Sequence, residues 1–490
     1  MSALTLGTSR AEATLTAADD WPHTRRPVPW LLAAFLVMLF LVPFGAIKFK
    51  VHLPADATPD RLLIVAMIVA LVVSIEPLLS GAKRQMGGVE YAVLIFAAVA
   101  LISVVINADR LYRLEYFPFV EKAVLQLLSY VAFFFVVVKA VRTTEIPALS
   151  RLIVWLSCIT SVGVLVESRR GFNAFYIWAG KLLSPIATVA PSPTNIHPTN
   201  GARAFIVGPT DHPLALASML TMALPFAIVP LYRATRTRDR VGYFIAIGLI
   251  VAATLATREK TAMLSPLAVI VVLVAFRPRL LRWAPLGILL LIPMVHVAAP
   301  GVLGELKNLL PGASGGNYSD GRTADYSAIT PDVLSNLLIG RGYGSLDPLN
   351  LRWYRILDNE YLDELWETGV IGLITYGAML WTPVVAARRL VRRSAAHAEI
   401  AVAAAAGCTA FAAVSATYDA MGFGQAIYSF LFAAALIAII GRERLMVIAT
   451  SDRPRGPEPH IRSPRRSGIG SHAPRPGQRS TVTPTGSSRT

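Results

Sequence analysis

Twelve runs of apolar residues, each 15–22 long, constrain this chain more than any other feature: about 30–47, 61–80, 89–107, 123–141, 150–167, 213–232, 241–256, 261–276, 283–299, 366–387, 398–416 and 424–440. That length crosses roughly 30 Å of hydrocarbon at about 1.5 Å per helical residue. Lipid offers no partner to backbone N–H and C=O groups, so such runs must satisfy them internally as helices. The composition agrees: 54% of residues are hydrophobic and only 16% charged, with a mean hydropathy of +0.55. A soluble chain carries about 25% charge. The expectation is an all-α polytopic membrane protein with about twelve transmembrane helices and a large extracytoplasmic loop before helix ten.

Charge predicts the orientation. Short loops carry Lys83 and Arg84; Lys139, Arg142 and Arg151; Arg233, Arg236, Arg238 and Arg240; Arg277, Arg279 and Arg282; and Arg388, Arg389, Arg392 and Arg393. The alternate loops, 168–212, 300–365 and 417–423, are poorer in base. The positive-inside rule then puts both termini in the cytoplasm. Residues 1–29 read as a cytoplasmic segment and not as a cleavable signal, because the first apolar run continues past Pro43 to Lys48 without a small-residue cleavage site. Residues 30–440 form the transmembrane domain. The Pro/Ser/Gly-rich basic segment 441–490 reads as a disordered cytoplasmic tail. Its charge suits anionic membrane lipid better than nucleic acid, and no nucleic-acid partner is expected. Cys158 and Cys408 both fall inside apolar runs, so no disulfide framework or thiolate metal site is expected.

The two long loops, 168–212 and 300–365, exceed ordinary connections and draw attention to function. The second ends in Asp358-Asn359-Glu360-Tyr361-Leu362-Asp363-Glu364-Leu365-Trp366-Glu367-Thr368-Gly369, an acidic stretch that becomes apolar within about two helical turns. Asp and Asn are favoured helix caps and acids suit a first turn, so this reads equally as a capped helix start and as a carboxylate held at the membrane boundary. Gly340, Gly342 and Gly344 read as a turn, or as backbone N–H groups offered to phosphate. A very short outer turn holds Arg258, Glu259 and Lys260. Those bases are either interfacial anchors or ligands for an anion. His212 before Pro213 reads as a turn residue at a span entrance or a substrate contact.

Taken together, these residues resemble the O-antigen ligase and polysaccharide polymerase family. The resemblance covers about 200–385 and rests on Arg203, Gly208 and His212-Pro213; on Thr257-Arg258; on Leu338-Ile339-Gly340-Arg341-Gly342-Tyr343-Gly344; and on Asp358-Asn359-Glu360-Tyr361-Leu362 followed by Glu367, Gly369 and Gly372. It implies glycosyl transfer from an undecaprenyl-diphosphate-linked glycan donor to a hydroxyl of an acceptor glycan, at the extracytoplasmic face of a bacterial plasma membrane and without a cofactor. Arg203 and Arg258 would bind the diphosphate, and His212, Lys260, Asn359, Tyr361 and Arg341 would contact substrate. Polysaccharide export or chain-length-control proteins would be partners. The family's histidine is replaced here by Asp358, which can act as a general base and leans the reading toward a polymerase. No metal-ligand spacing appears in the sequence. Two other readings stay open: a transporter or flippase for lipid-linked glycans, and a non-catalytic envelope-assembly protein. Glu76, Glu167 and Glu367 fall at span ends, which speaks against ion coupling.

Overall fold

The computed structural model describes residues 20–51, 58–73, 86–193, 206–257, 259, 261–278, 329–346 and 357–451. The chain divides at Met446 into a larger unit before that point and a smaller one after it. Thirteen helices are labelled among the described residues: α1 Pro27–Leu41, α2 Pro59–Val73, α3 Gly88–Ile106, α4 Ala108–Arg113, α5 Phe117–Ala140, α6 Ile146–Arg170, α7 Ala174–Leu183, α8 Pro213–Arg233, α9 Thr237–Ala256, α10 Thr261–Phe276, α11 Glu360–Arg392, α12 Ala398–Val414 and α13 Gly424–Ser451. Among the described residues, seven helical stretches are long and apolar enough to cross a membrane: those over Gly88–Ile106, Phe117–Ala140, Thr143–Arg170, Pro213–Arg233, Thr237–Ala256, Glu360–Arg392 and Gly424–Arg442. The chain is therefore a helical membrane protein. The run at 283–299 lies outside the described residues.

One local expectation is corrected. The first apolar run does not continue as helix to residue 47: α1 stops at Leu41, where Val42 is extended and Pro43 follows. Proline has no N–H to donate and biases the residue before it away from helix. The chain then forms β1, Ile47–Phe49, which pairs antiparallel with β2, Ala187–Val189, in a two-stranded sheet. The first long loop is thus partly ordered, since it contains both α7 and β2.

The centre of the body is α8, α12 and α13. Their side chains are almost wholly enclosed, whereas α11 and α9 turn most of theirs outward. The alanine-rich α12 permits close approach: a Cβ at Gly407 would lie 3.0 Å from the Met222 carbonyl oxygen of α8. Small residues at such contacts let helix backbones pack where lipid provides no hydrophobic drive between helices. Val65, Val69 and Val72 on α2, Trp155 on α6, Leu267, Ile270 and Val271 on α10, and Ile374 on α11 face outward, as apolar side chains against hydrocarbon should.

One end of the bundle gathers ion pairs, among them the buried carboxylates of Glu90 and Glu145. Glu145 takes hydrogen bonds from Trp21 N and Arg142 N and pairs with Arg26. Glu90, in the first turn of α3, pairs with Arg442 at 2.6 Å. Glu399 joins Arg233 and Arg277 at 3.0 and 2.6 Å. Each links helix ends that are distant in sequence, and a buried carboxylate without such a partner would be costly. The opposite end is built differently and carries the candidate site.

Candidate functional site

The site is assembled where α8 and α13 begin, α12 ends and α11 starts. Asn359 is the helix cap of α11, its side chain accepting from Tyr361 N at 3.1 Å. Asp358 lies one residue earlier and is exposed. Capping therefore belongs to Asn359, which corrects the reading that left it open for Asp358. The Tyr361 hydroxyl donates to the Ala412 carbonyl at 2.7 Å, which ties the first turn of α11 to the end of α12.

Four acids follow at Glu360, Asp363, Glu364 and Glu367, a spacing that puts them on one helical face. Glu360, Asp363 and Glu364 are buried and Glu367 half-buried. An amphipathic helix usually buries its apolar stripe; here the acidic stripe turns inward. Glu360 accepts from Met421 N at 2.8 Å, Glu364 from the Thr368 hydroxyl at 2.8 Å and Glu367 from Leu346 N at 2.9 Å. Asp419, from the turn between α12 and α13, joins Glu360 and Asp363, and one carboxylate oxygen from each lies within 4.8 Å of the others. Spacing alone missed this group because Asp419 comes from another loop. The available signal was a lone acid in a short loop, 417–423, that lacks Lys and Arg.

The stripe ends at a break. Gly369 has φ 69° and ψ −169° inside α11, so two helices meet there with a discontinuity. The segment 337–342 fills it. Arg341 N and Gly342 N donate to the Trp366 and Glu367 carbonyls at 3.0 and 2.8 Å, and Val370 N and Ile371 N donate to the Leu337 and Leu338 carbonyls at 2.8 and 3.3 Å. The N–H groups of Arg341 and Gly342 are thus consumed by protein, which corrects the reading that offered this glycine-rich turn to phosphate. Gly340 and Gly369 are required as glycines: a Cβ on Gly340 would lie 2.4 Å from the Glu367 carbonyl group, and one on Gly369 2.4 Å from the Leu338 carbonyl group.

Arg341 pairs with Asp332 at 2.8 Å and lies over the Trp366 ring at 4.6 Å. With Arg110, Tyr116, Ser345 and Trp366 it lines a cavity of about 80 Å³. Burial, and then the nearby Arg341 charge, lower the Arg110 pKa.

His212 caps α8, its Nδ1 accepting from Leu214 N at 3.2 Å. Its ring sits 5.5 Å from Phe423, so α8 meets the turn that carries Asp419. The turn before His212 is anchored by Glu167, which accepts from Val207 N, Gly208 N and Asn173 Nδ2 at 3.3, 2.9 and 3.1 Å. Burial pushes the His212 imidazole from 6.5 down to about 4. The fold therefore holds it neutral where the unfolded chain would protonate it. Its stabilising contribution is complete above the unfolded value and is lost as pH falls from about 6.5 toward 4. His212→Asn keeps a capping oxygen and removes the titration. The wild type is expected to lose more melting temperature than this variant between pH 7 and pH 5. Parallel losses would show that the neutral imidazole does not set the acid limit.

Of the sequence-derived residues, the structure brings His212, Asn359 and Tyr361 to one region beside Asp358, and holds Arg341 in a separate cavity. Arg203, Arg258 and Lys260 lie outside the described residues. No family model matches the chain, and no curated protein matches it.

Proposed function

We propose that the protein transfers a glycan from a polyprenyl diphosphate carrier, of the undecaprenyl kind, to a hydroxyl of an acceptor glycan. The observation that carries this reading is the exposed Asp358 carboxylate, set immediately before a capped helix start at one end of a bundle of apolar helices. A lipid-anchored donor presents its reactive carbon at that level. Asp358 takes the proton of the attacking hydroxyl, and the diphosphate leaves. Arg203 and Arg258 bind the leaving group, since guanidinium stays charged and forks two donors onto phosphate oxygens. Such contacts count for more in a water-poor site. Asn359 and His212, whose side chains serve as caps, position the site's backbone, and Lys260 and Tyr361 contact substrate. On this reading the site opens to the extracytoplasmic face of the plasma membrane, and both termini are cytoplasmic.

A second reading is favoured by one specific observation. A discontinuous helix preceded by buried carboxylates is a feature of transporters, and α11 has both. Reconstitution separates the two. Purified protein in proteoliposomes, supplied with a polyprenyl-diphosphate-linked glycan and an acceptor, is expected to yield elongated or transferred glycan. Movement of the lipid-linked glycan between leaflets without any new glycosidic product would overturn the transferase reading.

A further inference from the structure

We propose that Glu360, Asp363 and Asp419 bind a divalent cation, with oxygen chemistry that fits calcium, which ties the start of α11 to the turn between α12 and α13. Three carboxylates, two of them buried, offer oxygens within 4.8 Å of one another. That arrangement alone describes crowded acids. The independent observation is Asp363: the residue is 8% exposed, and its Oδ1 is fully buried with no hydrogen-bond partner. A buried carboxylate oxygen left bare is strongly unfavourable, and the fold had neighbouring donors to spend. Met421 N goes to Glu360 and Gly422 N to Asp419 instead, at 2.8 and 3.0 Å.

The counter-charge is also missing. None of these three acids pairs with a lysine or arginine among the described residues. At the other end of the bundle the buried Glu90 and Glu145 each have an arginine. A dipositive ion supplies at one point what those arginines supply singly. Hard oxygen donors select calcium, magnesium or manganese over softer-ligand metals. Ligand tolerance then discriminates. Magnesium, at about 2.0–2.1 Å, demands near-ideal octahedral geometry and keeps several waters, whereas calcium, at roughly 2.3–2.6 Å, accepts irregular sets of carboxylate oxygens. Three protein carboxylates gathered from two elements suit calcium.

The ion would join two elements that otherwise meet through few polar contacts, Glu360 N to the Ser415 carbonyl at 2.8 Å being one. It would sit just inside the Asn359 cap, whatever reaction Asp358 serves. The site's existence is therefore tested by binding and not by turnover.

The full-length protein, purified with chelator and then freed of it, is titrated with calcium alone and separately with magnesium alone. Stoichiometry is read by calorimetry and melting temperature by tryptophan fluorescence. Calcium is expected to bind near one per chain, more tightly than magnesium, and to raise the melting temperature. Asp363→Asn and Asp419→Asn are each expected to weaken calcium binding at least tenfold. Asp239→Asn, exposed in the first turn of α9, is expected to leave it unchanged. Asp363→Asn also relieves like-charge crowding, so its calcium-free melting temperature should equal or exceed the wild type's, which shows that it folds. No calcium binding by folded wild type at millimolar concentration would overturn the proposal. Equal binding by Asp363→Asn and wild type would do the same, and tighter magnesium binding would overturn the choice of calcium.

Discussion

Gly369→Ala is expected to lower the melting temperature sharply, with a loss on the order of 3 kcal/mol or more. Two costs coincide. The backbone there has φ 69° and ψ −169°, a region open in practice to glycine alone. A Cβ would also lie 2.4 Å from the Leu338 carbonyl group and 2.6 Å from Ile339 N. Those contacts are backbone and cannot swing aside. Displacing them would break the four hydrogen bonds that knit 337–342 into the gap of α11. Gly377→Ala is the control, in the same helix with nothing within 4 Å of the added atom. It should be neutral or stabilising, since alanine is favoured over glycine in a helix by about 1 kcal/mol. Matching melting temperatures for the two variants would show that the helix break is not held by this segment.

Asp358→Asn separates chemistry from capping. The cap is Asn359, so the substitution should leave the melting temperature within about 0.5 kcal/mol of wild type, as for an exposed surface site. Asparagine cannot take a proton at neutral pH, so transfer from lipid-diphosphate-linked glycan should fall by roughly 10²–10⁴. Asn359→Ala should show the reverse order of effects, with about 1 kcal/mol of cap lost and catalysis reduced only through mispositioning. The measurement is product formed per folded enzyme. Wild-type turnover by Asp358→Asn would remove Asp358 from the reaction and leave an exposed acid before a helix.

The helices could be read from the sequence because a span is a local requirement. An apolar run must satisfy its own backbone whatever surrounds it, so α3, α5, α6, α8, α9 and α13 fall where the apolar runs fall. The acidic stripe was also present in the sequence, at the helical spacing of Glu360, Asp363, Glu364 and Glu367, but its direction was not. Local pattern says that four acids share a face; only packing against α12 and the turn before α13 turns that face inward.

The same division holds for the glycines and the caps. Gly340 read as part of a turn and Gly369 only as part of the family resemblance, yet each is glycine because the backbone segment that carries the other passes within reach of a Cβ. His212 and Asn359 drew attention as candidate substrate contacts, and the structure employs their side chains as caps. The end of α1 followed from Pro43, a local cause, whereas the pairing of β1 with β2 joins segments from opposite sides of the six helices α2 to α7. Sequence by itself determined the class of protein and the position of most spans, because lipid imposes its rule on each segment separately. Tertiary structure alone decided which acids share a site and which backbone fills the gap in α11, because both depend on contacts between segments that no local periodicity encodes.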